Sequence, residues 1–271
     1  KQTLYELEIS TMHLDTIWKD KRYGGSCQYS PDGTQLLVSG GPETFGTLGV
    51  KVSEGRIPNS YDTQLYLFDL KTGKAEPLTR NFDPAAGMAH RAPDGKIYLT
   101  ATERDYVNLY RLDPKRRNFT KIDVPVEVIT SVDYAERGNV ALLRGTVIST
   151  PVKLYAIDLS TGKSSLLSDP GADQLAYVLK GRTEEWNFKS SRGITIYGRV
   201  YYPVNYDPAK KYPVIVNFYG GTTPTDRSFG GRYPKEVWAA EGYMVYVLQP
   251  SGSTGFGQDF SALHVNGWGR E

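Results

Sequence analysis

One cysteine and three histidines in 271 residues leave little material for disulfide or metal chemistry. Cys27 has no partner for an intrachain disulfide and cannot build a cysteine cluster, so it is expected to be a small buried side chain rather than a reactive thiol. His13, His90 and His264 stand far apart, and none has a ligand spacing such as HExxH. No metal site is therefore expected. An excess of charge of one sign is also missing. The 32 Lys and Arg against 30 Asp and Glu give a net charge of +2, which makes no case for nucleic acid or an anionic membrane as partner. The local basic run Lys115-Arg116-Arg117, between Pro114 and Asn118, reads as a solvated turn. No apolar run approaches the ~20 residues of a membrane-spanning helix.

The beginning, KQTLYELEI, carries neither an initiator methionine nor the charged and apolar regions of a signal peptide. Lys1 reads as a cut within a longer chain, so the compartment stays open between cytoplasmic and periplasmic or secreted. Oligomeric state is open as well. A G-x-S-x-G turn, which exposes a nucleophilic serine between a strand and a helix, is absent too. Ser251 and Ser253 lie in Pro-Ser-Gly-Ser-Thr-Gly, where neither has glycines at both required positions, so neither is read as a nucleophile. The same glycines run G-x-x-G-x-G and do not form the G-x-G-x-x-G dinucleotide fingerprint.

What the chain does have is a repeat. Leu65-Tyr66-Leu67-Phe68-Asp69 returns as Leu109-Tyr110-Arg111-Leu112-Asp113 and as Leu154-Tyr155-Ala156-Ile157-Asp158, at intervals of 44 and 45 residues (109 − 65 and 154 − 109). Such a period fits one four-stranded propeller blade. Upstream of each copy comes a turn, Ser30-Pro31-Asp32-Gly33, Ala92-Pro93-Asp94-Gly95 and the degenerate Glu136-Arg137-Gly138, followed by an apolar or alternating strand. About three blades are visible, the first interrupted by an insertion over 42–60. Propellers typically close with 4 to 8 blades, so further N-terminal sequence is expected. Hairpins of an ordinary β-sandwich are the alternative reading.

The repeat ends near Gly181 to Glu185. Trp186 to Phe188 and Ile194 to Tyr202 read as strands joined by Ser190-Ser191-Arg192-Gly193. Val214 to Phe218 is a nearly continuous apolar run, expected to be a central strand covered on both faces. Pro234 suits a first helical turn and Gly242 a helix stop. Met244 to Leu248 predicts the next strand and Gln258 to His264 a further helix. The reading is a mixed fold, a partial β-propeller over 1–183 followed over 184–271 by a half-built sheet that, with its strand ending in Tyr219-Gly220-Gly221, resembles the N-terminal half of an α/β-hydrolase domain.

Two segments carry a family resemblance. Pro213-Val214-Ile215-Val216-Asn217-Phe218-Tyr219-Gly220-Gly221 and the later Pro250-Ser251-Gly252-Ser253-Thr254-Gly255-Phe256-Gly257 resemble the prolyl oligopeptidase (S9) family of serine peptidases, of dipeptidyl-peptidase or acylaminoacyl-peptidase type. The second segment resembles that family's P-R-G-S-x-G-[YF]-G stretch, with Ser251 in the usual arginine position. Asn266-Gly267-Trp268-Gly269 resembles the stretch that follows. The resemblance implies that Tyr219 donates its phenol O–H to the oxyanion of a tetrahedral intermediate. It places Gly220, Gly221, Ser251, Gly252 and Ser253 in substrate-side loops. It also implies that the catalytic serine, aspartate and histidine lie beyond Glu271, that His264 is not the catalytic base, that no cofactor is required, and that the substrates are short peptides. The 271 residues alone are then expected to be inactive. Two alternatives stay open, a propeller-based binding or scaffold protein with a degenerate hydrolase domain, and an esterase of the same fold.

Overall fold

The computed structural model describes every residue except Tyr23, Trp268, Arg270 and Glu271. Trp268 of the Asn266–Gly269 stretch is therefore outside the described residues. The chain is mostly sheet with few helices, and it divides into two compact units interleaved in sequence. One unit comprises Lys1–Arg104, Tyr110–Lys121 and Thr254–Glu271, the other Asp105–Leu109 and Ile122–Ser253.

The first unit opens with the antiparallel pair β1 (Gln2–Glu8) and β2 (His13–Lys21). A four-stranded antiparallel sheet follows, β3 (Gly24–Tyr29), β4 (Gln35–Gly40), β5 (Gln64–Asp69) and β6 (Ala75–Pro77), in sequence order. A second run places β7 (Ala85–Arg91) beside β8 (Ile97–Glu103), then β9 (Tyr106–Asp113) and β10 (Asn118–Ile122). No sheet closes on itself among the described residues.

The repeated residues do local work. The aspartate ending each LYxxD copy accepts hydrogen bonds from the turn that follows. Asp69 takes the Thr72 N–H and hydroxyl at 2.7 Å each, and Asp113 takes the Lys115 and Arg116 N–H groups at 3.0 and 3.1 Å. Asp158 likewise takes the Ser160 and Thr161 N–H groups at 2.9 and 3.1 Å. In the Pro-Asp-Gly turns Asp32 and Asp94 cap Thr34 and Lys96 at 3.1 and 3.0 Å. Gly33 and Gly95 hold φ of +69° and +82° there, which glycine adopts without a Cβ penalty. The motif tyrosine and leucines supply core, with Leu65, Tyr66, Leu109 and Leu112 all buried. Leu37, Leu65, Leu67, Ile97, Leu99 and Leu112 form one cluster of this unit.

Cys27 is exposed on β3, contrary to the buried thiol expected from composition. Its strand has an open face, which a single small residue in the sequence does not reveal. The Lys115–Arg117 segment is a turn as expected, with Arg117 bonded to Glu76 and to the carbonyl of Pro77.

In the second unit, β11 (Val128–Tyr134), β12 (Val140–Val147), β13 (Thr150–Asp158) and β14 (Ser164–Ser168) form an antiparallel meander. A short helix α1 (Ala172–Leu175) leads to β15 (Thr183–Glu185), β16 (Phe188–Lys189) and β17 (Thr195–Tyr201). Then come β18 (Val214–Asn217), α2 (Lys235–Ala240) and β19 (Met244–Gln249). The strand order is β15-β17-β19-β18, with β16 beside β17; β17 runs antiparallel to β19, and β19 parallel to β18. Parallel neighbours need a crossover, and α2 supplies it, its Ala239 and Trp238 packing with Tyr201, Ile215, Val245 and Val247. The Gly242 N–H bonds to the Ala239 carbonyl at 3.1 Å as the helix ends.

Among the described residues β18 is the last strand of its sheet rather than a central one, and Val214 and Val216 are 58% and 53% exposed there. An apolar, β-branched run reports strand propensity. It does not report which neighbours the strand has.

Candidate functional site

Because β18 and β19 are parallel neighbours, the turns that follow them leave the sheet from the same edge. One carries Tyr219, Gly220 and Gly221, the other Ser251, Gly252 and Ser253, so the two sequence-predicted groups share one rim. Clefts outside the carboxyl ends of strands are where α/β sheets gather ligands.

Tyr219 is 57% exposed, and its hydroxyl bonds to no described residue. Gly221 lies under its ring: a Cβ at that position would stand 2.5 Å from Tyr219 Cε1 and 2.8 Å from Cζ. The second glycine of the motif therefore makes room for the aromatic ring. On the other turn, the Ser253 hydroxyl is fully buried and donates to the Pro250 carbonyl at 2.9 Å, while Ser251 is half-buried. Ser253 fastens its own turn and presents no free nucleophile.

The loop after Tyr219 is held by side chains that motif reading did not single out. Gln249, the last residue of β19, accepts the Thr225 N–H at 2.9 Å and donates its amide to the Thr225 carbonyl at 2.7 Å. Arg199 of β17 is fully buried; its Nη1 donates to Thr225 O at 3.2 Å and its Nη2 to Asp226 O. Its charge is balanced by Asp105 at 2.6 Å, and its Nε donates to the Tyr201 hydroxyl at 3.0 Å. Burying a guanidinium without such a partner is costly. The signal for Arg199 was present in the sequence as a lone cation inside the otherwise uncharged strand TIYGRVY.

A second cation, Arg227, donates to Glu185 at 2.5 and 2.7 Å and approaches Glu127 and Asp105 at 3.4 and 3.5 Å. Its guanidinium lies 4.3 Å from the centroid of the Tyr106 ring. On α2, burial and then the charge of Arg199 push the Lys235 ammonium below its ordinary range, and burial raises the Glu236 carboxyl.

All three histidines belong to the first unit. His13 is exposed and 3.2 Å from Asp15, His90 is a half-buried residue of β7, and His264 ends a 3-10 turn. Among the described residues no cluster of three or more His, Cys, Asp or Glu side chains could hold a metal ion. No helix among the described residues is long and apolar enough to cross a membrane.

No protein-family model matches the chain. It is similar to dipeptidyl-peptidase 5 of Schizosaccharomyces pombe, 32% identical over 279 aligned positions that take in 99% of this chain and 38% of that protein. It is 28% identical over 218 positions to dipeptidyl-peptidase 5 of Aspergillus fumigatus, covering 76% of this chain and 29% of the relative. The chain thus spans between about three and four tenths of the length of these relatives. Among solved structures, its fold is like that of Pyrococcus horikoshii acylaminoacyl peptidase, with a TM-score of 0.74 and 22% identity over 97% of this chain and 37% of that one. Porphyromonas gingivalis dipeptidyl peptidase 4 has a TM-score of 0.69 and 15% identity over 94% of this chain and 35% of its own. The chain is thus similar in sequence to dipeptidyl-peptidases and in fold to acylaminoacyl and dipeptidyl peptidases, which supports a peptidase-like fragment of the prolyl oligopeptidase (S9) family.

Proposed function

We propose that this chain is part of a serine-type exopeptidase or oligopeptidase that hydrolyses short peptides through an acyl-enzyme. In this reading residues 1–183 belong to a β-propeller and 184–271 form the first half of an α/β-hydrolase domain, within a longer protein that supplies serine, aspartate and histidine. The serine Oγ attacks the peptide carbonyl carbon as its proton passes to histidine, and the carbonyl π electrons move onto oxygen. Tyr219 donates its O–H to that oxyanion. Collapse expels the amine, which takes the histidine's proton, and water then hydrolyses the ester.

The observation that supports this reading is the Tyr219 hydroxyl, exposed and unbonded to any described residue, at the C-terminal end of β18. An oxyanion donor must be free in the resting state and fixed in place, because its contribution comes from preorganisation. The test is Tyr219→Phe in the full-length enzyme, assayed with a dipeptide chromogenic amide and an N-acyl amino-acid amide. Loss of one such donor is expected to lower kcat by ~10²–10³ with little change in KM. A variant within twofold of the parent overturns the role of Tyr219. Residues 1–271 alone are expected to show no turnover; hydrolysis by this segment that a serine-directed inhibitor blocks would overturn the division of the active site.

A further inference from the structure

The loop carrying Tyr219 is tied down at both ends by one strand. At its start, Asn217 pairs with Val247 of β19 in the parallel ladder. At its far end, Thr225 is bonded through both its N–H and its carbonyl to Gln249, two residues further along β19. The Gln249 carboxamide thus pairs with the Thr225 peptide as a neighbouring strand would. Gln249 is buried, so its two hydrogen bonds do not compete with water. Arg199, opposite Val247 on β17, adds donors to the carbonyls of Thr225 and Asp226. The residues between the anchors include Tyr219 and the Gly220-Gly221 pair and make no ladder of their own.

We propose that Gln249 and Arg199 are positioning residues that close the Tyr219 loop against β19 and so fix where the phenol stands. This rests on the reading of Tyr219 as the oxyanion donor, although the placement itself can be measured without turnover. Gly221 leaves room for the ring, and the far anchor limits where the loop can carry it. Asp105 acts one step behind, keeping the Arg199 guanidinium neutralised where it meets the carbonyls.

The test is ¹⁹F NMR with 3-fluorotyrosine incorporated at position 219, and separately at position 177, whose tyrosine is 95% exposed. Gln249→Met keeps side-chain length and removes both hydrogen bonds. It is expected to shift and broaden the resonance at 219 while leaving the one at 177 in place. An unchanged resonance at 219 in the folded variant overturns the proposal. Should Gln249→Met fail to fold, Arg199→Lys is read in the same way; it keeps the charge beside Asp105 and loses the paired donors to the two carbonyls. In the full-length enzyme, Gln249→Met is expected to lower kcat by ~10–100-fold with KM little changed. That loss should vanish in a Tyr219→Phe background, and a loss of equal size there overturns action through Tyr219. If Tyr219→Phe alone leaves kcat unaltered, the oxyanion role fails while the ¹⁹F result still decides the placement.

Discussion

The hydroxyl of Ser261, in α3 (Gln258–Ser261), lies 2.6 Å from Asp62 Oδ2 and 3.2 Å from the Gln258 carbonyl oxygen. These are two acceptors for one hydroxyl hydrogen. Ser261 donates to Asp62, the nearer acceptor, while the Gln258 carbonyl competes for the same hydrogen. Burial, with a smaller push from the charge of Asp83, moves the Asp62 carboxyl up to about 6 from an ordinary 3.8, against the hydrogen bond from Ser261.

The folded-state value lies above the unfolded one, so the folded protein binds this proton more tightly. The contribution of Asp62 to stability is present below about pH 4 and is lost as pH rises to about 6. Thermal melts between pH 4 and 8 should show Asp62→Asn gaining on the parent across that window, by up to ~1.4 kcal/mol per pH unit, with a constant difference above it. The asparagine carbonyl oxygen can accept the Ser261 hydroxyl as the carboxyl does, without a charge to bury. Parallel curves for parent and variant would show that Asp62 titrates normally.

Among the described residues Arg199 and Asp105 form the most deeply buried ion pair of the second unit, 2.6 Å apart at side-chain exposures of 0% and 9%. Asp105→Ala leaves the guanidinium unpaired and is expected to destabilise that unit by ~3–5 kcal/mol in urea unfolding. Pairing Asp105→Leu with Arg199→Met should recover much of that loss. A loss below ~1 kcal/mol for the single variant would mean that the carbonyls of Thr225 and Asp226 suffice for Arg199.

Gly221→Ala places a methyl 2.5 Å from the Tyr219 ring. The ring is exposed and can swing away, so stability should change by less than ~1 kcal/mol. In the full-length enzyme kcat should fall ~10-fold or more, because the phenol moves. An unaltered kcat with an unaltered melting temperature would mean that the ring's resting place is irrelevant to turnover.

Gln258 bridges the insertion over 42–60 from the other side, donating to Gly49 O at 2.8 Å and accepting the Lys51 N–H at 2.9 Å. Asp259 accepts the Ser53 N–H at 2.7 Å, and Asn59 donates to Ser261 O at 3.2 Å. Gln258→Ala should cost ~1–3 kcal/mol, since it strips partners from two backbone groups of the insertion. Faster proteolytic cleavage within 42–60 would accompany that loss, and unchanged cleavage would show that the other contacts hold the segment unaided.

Much of the strand and turn pattern was legible because its causes are local. The aspartate of LYxxD caps the turn two or three residues on, and Pro-Asp-Gly turns the chain within four residues. The Ser190–Gly193 turn forms where it was read, with the Gly193 N–H on Ser190 O at 2.9 Å. The helix expected over Gln258 to His264 appears as α3 and the 3-10 turn Ala262–His264. At the candidate site, Tyr219 and the serine-glycine turn were legible by motif. The side chains that hold their loops were not.

By itself the sequence determined the strand succession, the turn chemistry, the family resemblance and the two turns of the candidate site, all of which depend on residues a few positions apart. The tertiary structure alone decided that Cys27 is exposed and that the 42–60 insertion cradles α3. It also decided that Asp105, 94 residues before Arg199, neutralises it, and that Gln249 pins Thr225 from 24 residues away. Such pairings are set by which surfaces pack together. A buried charge or amide takes its partner from whatever the packed backbone brings within 3 Å or so, and no local pattern encodes that choice.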